Sequence, residues 1–470
     1  MKPESKSQTL LSITRSKAKM YEYDVPEEYH ITIRTDPARL FNLTIGILGD
    51  LSAQTNSEAP NQAYVDELTD SLRFSARFFD AYLQSRLQQD LDPYLILLGS
   101  AAYYLCGLPV SSRVLADRLK NDHLDLQCLG MERFLLWLLQ WKLSTYSNGT
   151  GEVYRESINN ISKSLVQFYK NNEDRDQLFE NAKQLRRMAY DLGTPRQLLL
   201  ADTISAVLKK RFENSAWHSL PAYSAIPAEQ WASALRKDSF MRELWPAQQL
   251  LGERGVYRGR SAVIQMPTSA GKTRATEIVI RSAFLAGRTS LAIIVAPFRA
   301  LCHEIRNSLS AAFRGEPVNI DELSDVFQAD FDIQELLGQK QVLVVTPEKL
   351  VYVLRHNPEI AKHIGMLIYD EGHQFDSGTR GITYELLLTS LKSMVPKGIQ
   401  TLLISAVISN ADSIGKWLNG DDFELVVGNK LLPTYRTIGF TSWMDELGRI
   451  EFVEPDETRK NSSYRGLSVN

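Results

Sequence analysis

Apolar positions along the chain follow two regimes. From about Pro37 to about Lys237 they recur every three or four residues. Leu68, Leu72, Ala76, Phe79, Leu83 and Leu87 form one such series, and Leu178, Ala182, Leu185, Ala189 and Leu192 another. Each marks one buried face of an α-helix. After the second series, Gly193 stands at the helix C′ position, Thr194 at an N-cap and Pro195 at the first position of the next helix. Met131 to Lys142 is largely apolar and predicts a helix central to this part. No fixed-period repeat occurs, so a solenoid is not expected. Residues 1–36 read as a polar, irregular segment, followed by a helical domain over 37–237.

Near Leu244 the pattern changes. Short apolar runs alternate with helical stretches: Ala262–Met266, Leu291–Ala296, Val342–Val345, Met366–Tyr369, Thr401–Ile404 and Glu424–Val427. Runs without strict polar alternation suit strands buried on both faces. Strands alternating with helices predict an α/β domain with a parallel sheet and helices on both faces, over residues 244–428. Residues 429–470 hold a predicted strand pair, Arg436–Trp443 and Arg449–Glu454, and a polar tail. The uncharged stretch from Pro93 to Ser112 is interrupted by Gly107-Leu108-Pro109. Its helical part spans about 21 Å against about 30 Å for a bilayer core, so a buried helix is expected and no membrane partner.

Composition narrows the function classes. The 470 residues carry 53 Lys and Arg against 56 Asp and Glu, a net charge of −3. That excludes a binder relying on bulk positive charge, so any nucleic-acid contact must use a local groove. With 44% hydrophobic and 23% charged residues, wholesale disorder is excluded. The three cysteines, Cys106, Cys128 and Cys302, form no CxxC pair, and the N-terminus lacks an apolar signal core. A reducing, cytoplasmic location is the expectation. The histidines form no HxxxH and no GxSxG is present, so zincin and nucleophile-elbow chemistry have no foothold.

The sharpest chemical signal is Pro267-Thr268-Ser269-Ala270-Gly271-Lys272-Thr273, placed after the Ala262 strand and before a helix. Backbone N–H groups of such a loop converge on an anion, and the helix N-terminus adds partial positive charge. Lys272 would reach the β- and γ-phosphates of ATP, and the Thr273 hydroxyl would hold Mg²⁺. The first glycine of the GxxxxGK[ST] pattern is replaced by Met266; a bare GKT is weak until strand and helix frame it. The second signal is Asp370-Glu371-Gly372-His373, which ends the apolar run Met366–Tyr369. Carboxylates at the C-terminal edge of a parallel strand lie where α/β ligands bind. Asp370 would hold Mg²⁺ through water, and Glu371 would polarise the attacking water. A solvated acidic turn is the bland alternative; the phosphate loop upstream favours ATP hydrolysis.

This motif set resembles superfamily 2 helicases of the DExH-box kind, most closely the superkiller-like branch. Leu244-Trp-Pro-Ala-Gln248 looks like the Q motif, in which the glutamine reads adenine. Pro267–Thr273 matches motif I. Ala296-Pro-Phe-Arg-Ala-Leu301 resembles motif Ia, and Val345-Thr-Pro-Glu-Lys-Leu350 the TPEKL motif. Asp370–His373 reads as a DExH box, and Ser405-Ala-Val407 stands where the family has SAT in motif III. The resemblance implies a RecA-like P-loop domain. It also implies nucleic-acid phosphate contacts by Arg299 and Thr346, a link from His373 to motif III, and a coupling role for Ser405.

Three departures limit what the resemblance implies. Val407 removes the motif III threonine hydroxyl, no residue between Arg314 and Lys340 fits motif Ib, and residues 429–470 are too few for a second RecA-like lobe. An arginine finger from such a lobe contributes about 10³–10⁵ in rate in related machines. The chain alone is therefore expected to bind ATP, hydrolyse it poorly and unwind nothing, with the second lobe on a longer chain or a partner. An ATP-gated scaffold is the alternative from another class. A helical domain before a superkiller-like core is also similar to bacterial antiviral defence helicases of the Hachiman type. That likeness implies DNA as substrate and a nuclease partner. RNA processing and DNA repair stay open, since no motif reports 2′-OH contacts.

Overall fold

The computed structural model describes residues 5–30, 32, 38–84, 93–120, 124, 129–140, 146, 152–267, 270–322, 339–372, 378–406, 408, 410–428, 431, 438–444 and 447–453. The chain forms two compact units, Met1–Phe212 with Pro433–Asn470, and Glu213–Leu432. The first unit is helical. Its segments run Ser5–Glu22, Ala38–Asn56, Gln62–Gln84, Pro93–Leu105, Pro109–Ala116, Met131–Leu139, Glu152–Asn171, Arg175–Leu192 and Pro195–Asn214. The expected apolar face of the Gln62–Gln84 helix is buried at Leu68, Leu72, Ala76 and Phe79. Leu87 and the side chain of Leu83 lie outside the described residues. Met131–Leu139 is buried nearly throughout, as its composition predicts. Among the described residues no helix is long and apolar enough to cross a membrane.

Several local expectations change. Residues 5–22 form an α-helix rather than an irregular segment. Leu10 and Leu11 pack there with Leu40, Phe41, Phe78, Phe79 and Tyr82, so a few apolar side chains suffice where a partner surface exists. Leu192 is exposed, so the stripe on its helix ends at Ala189. Gly193 is extended (φ −89°) rather than left-handed. Thr194 and Gln197 form a reciprocal cap: the Gln197 N–H donates to Thr194 Oγ1 at 3.4 Å and the Thr194 N–H to Gln197 Oε1 at 3.0 Å.

The second unit holds a seven-stranded parallel sheet. Its strands are β1 (Ala262–Gln265), β2 (Leu291–Val295), β3 (Val318–Glu322), β4 (Lys340–Val345), β5 (Met366–Tyr369), β6 (Gln400–Ser405) and β7 (Glu424–Val427), in the order β3-β4-β2-β5-β6-β1-β7. Six occupy the predicted apolar runs. Only β3 was missed. It is the edge strand on β4, and its alternating sequence Val-Asn-Ile-Asp-Glu buries Ile320, so it needs no continuous apolar run. One face of the sheet packs Val263, Ile293, Val295, Leu343, Leu367 and Leu403 against the helices Pro347–His356, Gly378–Met394 and Ala411–Asn419. On the other face Ile264, Leu402 and Ile404 meet Ala275 and Val279 of the helix Lys272–Leu285. Both faces are thus covered, as parallel sheets require. The first unit also holds an antiparallel hairpin, β8 (Ile438–Met444) and β9 (Leu447–Val453).

The boundary between units falls after Phe212, ahead of the pattern change at Leu244. The intervening segment has its own ties within the second unit. Lys237 pairs with Glu316 and donates to the Arg314 carbonyl at 2.8 Å. Glu316 also pairs with Arg281, which bonds Glu277 at 3.1 Å and lies over the Phe313 ring at 4.2 Å. Arg281 is 2% exposed. Replacing it with methionine leaves Glu277 with Arg274 and Glu316 with Lys237 as their cations, and should lower stability in urea unfolding by less than the about 3–5 kcal/mol of a buried charge that loses its whole pairing. Burial pushes the Glu316 carboxyl up, but hydrogen bonds and charge from Arg281 and Lys237 outweigh it and hold the group below its ordinary range. Its contribution is therefore present near neutral pH and lost as pH falls through the carboxylate range. The stability gap between the native chain and Glu316→Gln should narrow as unfolding is repeated from about pH 7 down to about pH 3.

Candidate active site

The strand order sets the site. β1 carries the phosphate loop and β5 the acidic pair, and β6 lies between them. Neighbouring strands are about 4.8 Å apart, so the ends of β1 and β5 are close enough for long side chains to meet. Lys272 Nζ donates to Glu371 Oε1 at 3.1 Å. The two side chains are 11% and 22% exposed, sheltered from full solvent screening yet open to a ligand.

Gly271 caps the helix Lys272–Leu285 in the left-handed region (φ +87°). A Cβ there would lie 2.9 Å from Gln248 Nε2 and 3.3 Å from the Trp245 ring. The glycine thus lets the phosphate loop approach the Leu244–Gln248 segment. Gln248 is itself fixed: its Oε1 accepts from the Trp245 N–H at 2.8 Å, and its carbonyl accepts from the Tyr257 hydroxyl at 2.8 Å. Pro267 and buried Ala270 form the described parts of the loop, and Thr273 is exposed on the first helical turn. Thr268, Ser269 and His373 lie outside the described residues.

The acidic turn is tightly held. Asp370 Oδ1 accepts from the Glu371 N–H at 2.9 Å, and the Asp370 N–H donates to the Val295 carbonyl at 2.9 Å. Glu371 has φ +50°, a conformation costing a non-glycine residue about 1–3 kcal/mol and concentrated at functional sites. Gly372 follows against β6, where a Cβ would come within 2.8 Å of Leu403. Beneath the turn the buried Tyr384 hydroxyl donates to the Asp370 carbonyl at 3.3 Å. Burial pushes the hydroxyls of Tyr384 and Tyr369 well above the ordinary tyrosine range, so neither acts as a base. Burial also pushes the Cys106 and Cys302 thiols up to about 12, which excludes a resting thiolate at either.

Ser405 ends β6 and is fully buried; its carbonyl accepts from the Met266 N–H at 2.9 Å. Arg299 is exposed on the first turn of its helix beside exposed Phe298. Thr346 stands at the N-cap of Pro347–His356 and is 5% exposed. Their strands β2 and β4 are adjacent, with Val295 beside Val345, so both positions share the edge that carries the Lys272–Glu371 pair. Sequence reasoning gave no role to Tyr384 or Gln265 and named Trp245 only within the Leu244–Gln248 motif. Gln265 alone left a visible trace, as an amide in an otherwise apolar strand.

The model of the DEAD/DEAH box helicase family matches residues 246–414. This part of the chain is a DEAD/DEAH box helicase domain. The chain is also 26% identical to the Hachiman protein HamB of Bacillus cereus, over 76% of this chain and 34% of that protein. It is 29% identical to the ATP-dependent DNA helicase Hel308 of Thermococcus kodakarensis, over 43% of this chain and 17% of that protein. The chain thus spans about a third or less of the length of these curated relatives. Among solved structures, a hypothetical ATP-dependent RNA helicase from Sulfolobus tokodaii aligns at 18% identity and TM-score 0.33, over 42% of this chain and 56% of that one.

In the helicase domain, Gly271→Ala forces an alanine into the left-handed region and against Gln248. It should cost about 1–2 kcal/mol of stability. Fluorescent-nucleotide titration should show a further loss of affinity, because the loop must withdraw from Gln248.

Proposed function

We propose that this chain is the ATP-binding and ATP-hydrolysing first lobe of a nucleic-acid helicase or translocase. The observation that carries the reading is the Lys272–Glu371 pair, 3.1 Å across the end of β6. It joins the phosphate-loop lysine to the acidic motif in one small volume. Without nucleotide each side chain neutralises the other. ATP would draw Lys272 onto its β- and γ-phosphates, and Glu371 would be released to orient water and take its proton. The left-handed Gly271 and the helix start after it fit a phosphate chain. Gln248, held against that loop, would read adenine beside it.

The Thr273 hydroxyl and the Asp370 carboxylate are hard oxygen donors, and such donors suit Mg²⁺. When bound, Mg²⁺ neutralises charge building on the phosphate oxygens. The residues' own part is to position: Asp370 fixes the acidic turn through the Glu371 N–H, and Lys272 aligns the phosphates. We assign His373 and Ser405 to the link between this chemistry and motif III. Arg299 and the backbone at Thr346 would track phosphates of a single strand without reading bases.

The relatives favour DNA over RNA as the partner, because the Hel308 proteins are named DNA helicases. The HamB match covers 76% of the chain, so it extends beyond the helicase domain into the helical unit. That breadth supports a role in antiphage defence, with a nuclease partner engaged by the helical unit. A second RecA-like domain, in cis or on a partner, would supply the arginine finger and complete the motor.

Lys272→Ala should abolish ATP binding in nucleotide titration with the fold intact by circular dichroism. Glu371→Gln should keep ATP affinity and lose hydrolysis by at least about 10²-fold; normal turnover in that variant would overturn the catalytic assignment. ATPase assays with single-stranded DNA and RNA side by side test the substrate, and equal or greater stimulation by RNA would reject the DNA reading.

A further inference from the structure

The phosphate loop is tied to the motif III loop by a side chain that neither motif contains. Gln265 is the last residue of β1, directly before Met266 and Pro267. Its backbone is spent on the sheet: it lies between Ser405 of β6 and Val427 of β7, and its carbonyl accepts from the Gly428 N–H at 2.8 Å. Alternate side chains of a strand face opposite ways. Ile264 and Met266 point toward the helix Lys272–Leu285. Val263 lies on the other face, in the cluster with Leu403, Ile408, Ala411 and Leu418. Gln265 shares that second face, and its amide Nε2 donates to the Ile408 carbonyl.

An amide in this position needs a reason. The other β1 residues, Ala262, Val263 and Ile264, are at most 2% exposed and apolar. A half-buried amide without a partner costs about 1–3 kcal/mol. Ile408 supplies the partner, and it sits in the loop between β6 and the helix Ala411–Asn419, just past Ser405-Ala-Val407. The loop's carbonyl is thereby bonded to the strand whose next residues enter the phosphate loop. A second bond runs in parallel, from the Met266 N–H to the Ser405 carbonyl at 2.9 Å. That one is backbone to backbone and would exist with any residue at 265. The Gln265 bond depends on the side chain.

We propose that Gln265 is a positioning residue that transmits nucleotide occupancy from the phosphate loop to the motif III loop through the Ile408 carbonyl. This rests on the ATP-site reading above. Nucleotide bound after β1 would bias the end of that strand, and the Gln265 amide would carry that bias to the Ile408 carbonyl. The arrangement gives this chain a loop-to-loop link at a place where Val407 offers no side-chain hydroxyl.

Hydrogen exchange on the full chain tests the proposal. A non-hydrolysable ATP analogue with Mg²⁺ should slow exchange in peptides spanning 406–410 by about threefold or more. Gln265→Leu keeps the side-chain bulk and removes the donor. It should retain analogue affinity within about threefold, well under 1 kcal/mol, and lose that protection. Gln265→Glu serves as a second variant, since a carboxylate of the same length cannot donate to Ile408. Unchanged protection in whichever of these folds, with analogue bound, overturns the proposal. So does a native chain that binds the analogue without protecting 406–410, and in that case the ATP-site reading survives. A native chain that binds no analogue removes both.

Discussion

Lys272 and Glu371 meet because of the order in which seven strands lie, not because of their places in the chain. The crossover after β1 skips two positions and lands on β2, so β5 and β6 are inserted beside β1 later in the sequence. β6 then separates the phosphate-loop strand from the acidic strand by two strand spacings, about 10 Å between strand axes. A lysine on one side and a glutamate on the other can span that gap, and they do so at 3.1 Å. A direct β1–β5 neighbour would crowd a phosphate chain out. A second intervening strand would put the pair beyond reach. β6 therefore sets the width of the site, and it also brings Ser405 and Ile408 between the two motifs.

The same geometry explains where polar groups are buried. The helix that opens at Lys272 must keep its N-terminus fixed at the end of β1. Two turns further on, Arg281 is anchored to Glu277 and Glu316, with Lys237 closing the network. Such a buried network is weak evidence for net stability against an apolar core, but it strongly resists partial loss. It also specifies one orientation of the helix, because guanidinium geometry is planar and directional.

Most of this architecture was legible in the sequence because parallel strands are continuous apolar runs. Six strands and both chemical motifs stood out for that reason. What stayed hidden lacks such a signal. β3 alternates Asn and Asp with Ile320 because an edge strand needs one buried face. The helix Ser5–Glu22 is polar on average and becomes stable through Leu10 and Leu11 packing on distant aromatics. At the site, Lys272, Asp370 and Glu371 were readable as residue types at fixed spacing. Gln265, Trp245 and Tyr384 act through contacts between segments far apart in sequence, which no local spacing encodes. The positive φ of Glu371 was equally invisible, since glutamate gives no hint of a left-handed turn.

That strained turn and the ion pair belong together. A glutamate at φ +50° is held by the Asp370 carboxylate on its N–H, by Gly372 wedged at Leu403, and by Lys272 on its side chain. Only the last of these can be exchanged for a ligand without unfolding the turn. Phosphates competing for Lys272 would remove one restraint on the glutamate, in a site sheltered from bulk water. On the proposed ATPase reading, phosphate binding at Lys272 and the release of Glu371 from the ion pair would be a single event.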